Sequence, residues 1–186
     1  MKKVVLTALT AGLALAVMIG AQTIGAGHGK SRIKADVLSG YQEVSATNAG
    51  LSSKGTGEFK AEIDDDNDVI TWELTYTGLA AQATQAHIHF GNRYLSGGVS
   101  VFFCGAPPNT PCPLAPAGVT EPVTITGTWT PASVVGPVTQ GIAAGEWDEF
   151  VAAIRAGMTY ANIHNSVFPA GEIRAQVNNK GQEQPA

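Results

Sequence analysis

Three histidines are the side chains whose types and spacing could support chemistry in this sequence. His87 and His89 are separated by one residue, in the alternating segment Ala86-His87-Ile88-His89-Phe90. Residues two apart on a β-strand point to the same face, so both imidazoles would lie on one side. His164 ends a second alternating segment. Two imidazoles from one strand, a third from another and a carboxylate would form a ligand set for Zn or Cu.

Two further strands are expected to complete this polar face. In Tyr160–His164, Ala161 and Ile163 alternate with Asn162 and His164. In the segment 172–177, the apolar residues alternate with Glu172, Arg174 and Gln176. If these strands are neighbours, one external cluster forms opposite the isoleucines 88, 163 and 173, and it consists of His87, His89, Asn162, His164, Glu172 and Arg174.

The period of two continues along the chain. Residues 56–63 and 69–76 alternate on either side of the acidic turn Asp64–Asp68, which predicts a hairpin. A calcium loop of the EF-hand type needs Gly and Glu where Val69 and Thr75 stand, so the turn is interpreted as a solvated hairpin tip. Six more strands are predicted, at 35–38, 85–90, 99–103, 123–129, 160–163 and 172–177.

One segment has helical spacing instead. Residues 146–156 place Trp147, Phe150, Val151 and Ile154 on one face, and Gly157 follows where a left-handed cap belongs. About eight strands and one short helix predict an all-β domain, either an antiparallel two-sheet sandwich or a Greek-key barrel.

The N-terminus predicts export. Lys2 and Lys3 precede an uncharged apolar stretch and then small residues, the order of a secretory signal, which we assign to residues 1–26. Removal of the two lysines leaves nine basic against fifteen acidic residues, a net charge of −6. A net-acidic surface argues against nucleic acid and against an anionic membrane as partner. The mature protein is expected to be secreted or periplasmic.

Export changes how the two cysteines are interpreted. Cys104 and Cys112 enclose a short, proline-rich segment, and in an oxidising compartment this spacing predicts a disulfide across one loop. Such a short loop would stabilise the fold by roughly 2.5 kcal/mol. The spacing does not fit a CxxC redox pair.

Four motifs occur in order along the chain: 38–44 (LSGYQEV), 74–79 (LTYTGL), 86–91 (AHIHFG), and 160–164 (YANIH) continuing to 169–174 (PAGEIR). Together they resemble the CHRD domain, a module named after chordin. The resemblance places the domain at 35–178, before a polar tail at 179–186. Asn165, Ala170 and Ala175 depart from the usual pattern of Thr, Gly and Gly. In chordin such domains belong to a secreted antagonist of growth factors, so the resemblance implies an exported module and supplies no mechanism.

Three functions are consistent with these residues. The preferred one is a non-enzymatic binding or structural module without catalytic residues or cofactor, whose partner is an extracytoplasmic protein or a small ligand. Here the histidines and Glu172 hydrogen-bond among themselves, and Arg174 pairs with Glu172. The alternative is a Zn or Cu site made by His87, His89, His164 and Glu172. The third is an enzyme like Cu/Zn superoxide dismutase, also a β-barrel with an HxH strand, but four histidines are too few for a dinuclear site.

Overall fold

The computed structural model describes residues 29–44, 50–105, 111–113 and 122–179. The predicted signal at 1–26 and the tail beyond residue 179 lie outside these ranges. The described residues form one helix, α1 (Trp147–Arg155), three short 3-10 turns and nine strands. The strands are β1 Lys30–Ser39, β2 Thr56–Asp64, β3 Val69–Thr77, β4 Ala83–Phe90, β5 Gly98–Cys104, β6 Val123–Trp129, β7 Thr159–Asn165, β8 Ile173–Gln176 and β9 Asn178–Asn179.

All strand pairs are antiparallel, in the order β5-β4-β7-β8-β1-β2-β3-β6, with β9 beside β1. The two halves of this sheet meet at β1, which pairs with β8 through Arg174 and Ser39 and with the two residues of β9. The sheet folds over at this seam, so that Phe103 of β5 packs on Trp72 of β3 with ring centroids 4.9 Å apart. The predicted all-β sandwich or barrel is confirmed.

The core lies between the two halves and follows the predicted alternation. In β4, β7 and β8, the residues Ile88, Ile163 and Ile173 are almost fully buried against it. In β2 and β3, Phe59 and Leu74 pair across the hairpin and face the same interior. The polar residues between them therefore point to the other side of the sheet, as the period of two requires.

Helix α1 forms where its spacing predicts it. Its apolar face is buried, with Phe150 against Trp129 of β6 at 6.3 Å between ring centroids. Gly157 follows with φ of +68°, the left-handed conformation expected after a helix. At the same C-terminal end, Arg155 pairs with Asp65 of the hairpin turn at 2.6 Å. No helix in the described residues is long and apolar enough to cross a membrane.

The two cysteines are joined. Cys104 ends β5, and its sulfur lies 2.02 Å from that of Cys112. Both cysteines are buried at the edge of the core. The predicted pairing is thus present in the structure.

We expect the purified mature protein to contain no free thiol, because both cysteines are consumed by this bond. Reduction should lower the free energy of unfolding by roughly 2.5 kcal/mol, since the unfolded chain regains the entropy of one short loop. Alkylation without reductant followed by mass spectrometry measures the first quantity, and urea denaturation with and without reductant measures the second. Two alkylated cysteines in unreduced protein would contradict the expectation.

Candidate metal centre

The three histidines converge on one point of the sheet. β4 supplies His87 and His89, and its neighbour β7 supplies His164. The ring centroids are 4.4 Å apart for His87 and His89, and 4.5 Å apart for His87 and His164. One ring nitrogen from each histidine lies within 4.8 Å of the other two. The predicted strand neighbourhood therefore brings all three imidazoles together.

Two of the rings have their tautomer fixed by backbone carbonyls. His89 Nδ1 donates to the Gly97 oxygen at 2.7 Å, and His164 Nδ1 donates to the Pro169 oxygen at 3.1 Å. A carbonyl oxygen only accepts, so the proton must be on Nδ1, and in a neutral ring the lone pair is then on Nε2. Metal-binding histidines are held in this way by their second nitrogen.

Each of the three rings has one buried nitrogen with no hydrogen-bond partner among the residues that the structure describes. These atoms are Nδ1 of His87, Nε2 of His89 and Nε2 of His164. Buried polar atoms are rarely left unpaired, and such atoms need an explanation. Three in one cluster, two of them with a fixed lone pair, are arranged to bind an electron-pair acceptor.

The rings are held in the neutral form. Burial, reinforced by the neighbouring rings, lowers the pKa of His87 to about 2. Burial also lowers the pKa of His89 to about 4 and lowers the pKa of His164. A neutral imidazole can donate its lone pair to a metal, whereas a protonated one cannot.

The polar face is not external, in contrast to the expectation from sequence. His87 is 3% exposed and Arg174 is 1% exposed. The segment 91–97, named the cap loop here, lies over this face. Its carbonyl groups accept hydrogen bonds from His89, Arg174 and Gln176, and the amide of Gly97 donates to the Tyr160 hydroxyl at 3.0 Å. Strand alternation determines which face a residue is on, but it does not indicate which loop covers that face.

Glu172 does not join the histidines, and the predicted four-ligand set is wrong in this residue. Its carboxylate accepts hydrogen bonds from the Ala80 amide at 3.0 Å, from the Ser53 hydroxyl and from the Asn165 side chain. Gly171, with φ of +123°, precedes it and breaks the alternation of β8. The carboxylate therefore lies on the same side of the sheet as Asn165. Asn165 is two residues from Ile163 on β7, so this is the side that Ile163 faces.

Arg174 does not pair with Glu172 either. Its Nη2 donates to the carbonyl oxygens of Asn92 at 2.7 Å and Leu95 at 3.0 Å. Its guanidinium carbon lies 3.4 Å from the centroid of the Tyr160 ring. Tyr160 in turn stacks on His89, with centroids 4.6 Å apart and planes at 11°. Because β4 and β8 flank β7 on opposite sides, His89 and Arg174 contact opposite faces of Tyr160.

Asn162 separates the histidines from a carboxylate that sequence reasoning did not assign. It pairs with His87 across β4 and β7, and its side-chain amide donates to Glu43 at 2.7 Å. Burial raises the pKa of Glu43. Tyr160 was also missed, although alternation places it on the face of Asn162 and His164. No strand alternation pointed to Glu43, because this residue reaches the site from a 3-10 turn that is distant in the chain.

Acid should destabilise the metal-free protein. An unfolded histidine takes up a proton near its ordinary pKa of 6.5, while folded His89 stays neutral until about 4 and folded His87 until about 2. Between these values the unfolded state binds more protons, so stability falls as the pH falls below 6.5. Each such histidine accounts for up to about 1.4 kcal/mol per pH unit.

Urea denaturation in chelator, between about pH 7 and about pH 4.5, measures this slope. His89→Gln removes one titrating ring and should make the slope shallower. An identical slope in wild type and variant would show that His89 is not held neutral by the fold. The exposed Gln85→Ala, on the same strand, should leave the slope unchanged.

Comparison with known proteins adds a family to this geometry. The family model described as CHRD domain matches residues 35–177. This confirms the resemblance drawn from the four sequence motifs. Searches of the curated proteins and of the solved structures found no significant match.

Proposed function

The chain belongs to the CHRD domain family, and on that premise we propose that it is an exported, non-enzymatic binding module whose clustered histidines hold a zinc or copper ion. The ligands are Nδ1 of His87, Nε2 of His89 and Nε2 of His164. The observation that carries the proposal is that one nitrogen of each ring lies within 4.8 Å of the other two, and that each ring has a buried nitrogen with no hydrogen-bond partner among the described residues.

The ligand chemistry supports zinc or copper. Imidazole nitrogen suits both metals, and the described cluster contains no thiolate or carboxylate. Three nitrogens around a tetrahedral zinc ion are about 3.3 Å apart, so nitrogens within 4.8 Å need only a small side-chain rotation to reach it. The carbonyls of Gly97 and Pro169 keep two rings oriented while they do so.

A purely structural role for the histidines has less support than sequence reasoning gave it. That role required the histidines to hydrogen-bond with Glu172 or Asn162. Glu172 instead binds Ser53, Ala80 and Asn165, while Asn162 binds Glu43 and the Ile173 carbonyl. The two carbonyl contacts leave the inner nitrogens of the cluster unsatisfied, which a structural role does not explain.

Metal analysis and titration test the proposal. Protein purified from its native compartment is expected to contain about one zinc or copper ion per chain, the stoichiometry of a single three-ligand site. Chelated protein should bind one ion in calorimetric titration, and His164→Ala should lose that binding while keeping the β-sheet circular dichroism spectrum. The exposed Gln85→Ala should bind as wild type does. Binding by the His164→Ala variant equal to that of wild type would contradict the site.

A further inference from the structure

The charges around the three histidines distinguish between the metals that imidazole can bind. Among the described residues, the cluster consists of three neutral rings, and neither Glu172 nor Glu43 belongs to it. Glu172 is fixed by three donors on the other side of β7. Glu43 accepts from Asn162 and from the Val44 amide. A bound cation would therefore receive no neutralising charge from its ligands.

A fixed positive charge is also close. The guanidinium of Arg174 lies on the Tyr160 ring, and Tyr160 stacks on His89, so one aromatic ring separates the cation from a ligand. Arg174 is 1% exposed and interacts electrostatically with the Glu43 carboxylate, although the described residues place no carboxylate in ion-pair contact with it. Its repulsion of a metal ion grows in proportion to the charge of that ion.

Aromatic rings cover part of the buried site. Phe102 meets the His87 ring edge to face at 5.3 Å, and Tyr160 covers His89. His87 and His89 are 3% and 9% exposed. The cost of moving an ion from water into such surroundings grows with the square of its charge, so a doubly charged ion is penalised four times as strongly as a singly charged one.

Coordination number points the same way. Structural zinc is almost always four-coordinate, and zinc with three protein ligands needs a fourth from water or substrate. A Cu⁺ ion, by contrast, is satisfied by two or three ligands. The described residues offer three nitrogens and no fourth His, Cys, Asp or Glu within the cluster.

From this combination of neutral ligands, burial beside aromatic rings and the Arg174 cation, we propose that the ion bound by His87, His89 and His164 is Cu⁺. The inference rests on the proposed metal site and specifies its ligand. Arg174 acts on the metal through space and is a specificity-determining residue, while the three histidines bind it. The site then selects an ion by its low charge, not by anionic ligands.

Competition titrations test this inference on the mature protein. Cu⁺ is supplied anaerobically with bicinchoninate as competing chelator, and ascorbate keeps it reduced because a thiol would open the Cys104–Cys112 bond. Zn²⁺ is titrated separately against a zinc chelator. Wild type should bind Cu⁺ more tightly than Zn²⁺. Tighter binding of Zn²⁺ would overturn the inference and leave the metal site standing, whereas no binding of either ion would overturn both.

Arg174→Gln tests the electrostatic reason. Loss of the cation should raise Cu⁺ affinity about fivefold and Zn²⁺ affinity about twenty-five-fold, because the repulsion is doubled for the doubly charged ion. Arg174→Lys keeps the charge, controls for disturbance of the cap loop, and should retain the wild-type ratio of the two affinities. Two results would contradict the assigned role of Arg174. One is an equal change of the Cu⁺ and Zn²⁺ affinities in Arg174→Gln. The other is a ratio of the two affinities in Arg174→Lys that equals the ratio in Arg174→Gln.

Discussion

Saturating copper or zinc is expected to raise the melting temperature of the wild-type protein by about 5–10 °C, and His89→Ala is expected to abolish this increase. Metal at about one hundred times its dissociation constant stabilises the folded state by about 2.7 kcal/mol. For a chain of this size, each kcal/mol corresponds to about 2–4 °C. His89→Ala removes one of three ligands, so the remaining two histidines bind too weakly to produce a comparable shift.

Thermal melts with chelator and with metal measure both effects. The metal-free His89→Ala protein should itself be less stable, because it loses the stack on Tyr160 and the bond to Gly97. The informative quantity is therefore the metal-induced shift within each protein. Gln85→Ala, exposed on the same strand, should keep the full shift. A shift of wild-type size in His89→Ala would show that the metal binds elsewhere.

Glu172→Ala should be the most damaging of the polar substitutions, with a loss of about 3–5 kcal/mol of unfolding free energy. The carboxylate is fully buried and accepts hydrogen bonds from Ser53, Ala80 and Asn165. Its removal leaves these donors without their shared acceptor. Urea denaturation of wild type and variant measures the difference.

The same variant distinguishes structural from ligand roles. Because Glu172 is outside the histidine cluster, Glu172→Gln should fold with an intermediate loss and bind metal with wild-type affinity. Glu73→Ala removes an exposed glutamate from β3 and should change stability by less than about 0.5 kcal/mol. A large loss of metal affinity in Glu172→Gln would restore this residue to the ligand set.

Local patterns in the sequence determined most of the fold. Turn signals and alternation identified the eight longer strands, and alternation gave the inward faces of β2, β3, β4 and β7, because strand geometry requires opposite orientation of successive side chains. Helical spacing and Gly157 located α1 to within one residue at each end. Cysteine spacing predicted the disulfide. These features depend on residues close together in the chain, which is why sequence reasoning reaches them.

Alternation also placed His87, His89 and His164 on the polar faces of their strands, but it could not show that β4, β7 and β8 are adjacent. Strand order depends on how the whole chain packs, and only the tertiary structure showed that these three neighbour one another. The position of the cap loop also depends on tertiary packing. This loop buries a face that alternation alone would predict to be exposed to solvent.

The partners of the charged residues were decided entirely by tertiary structure. Sequence reasoning paired Arg174 with Glu172 because the two stand two residues apart on one strand. Gly171 turns the backbone just before Glu172, so the carboxylate enters the opposite side of the sheet, and Arg174 is left over Tyr160. A long-range contact such as Asn162 with Glu43, 119 residues apart, has no local signature. The sequence by itself therefore determined which residues of β4 and β7 face away from the core, while the packing of distant segments decided that three of them form a neutral, buried cluster to which the described residues add no carboxylate.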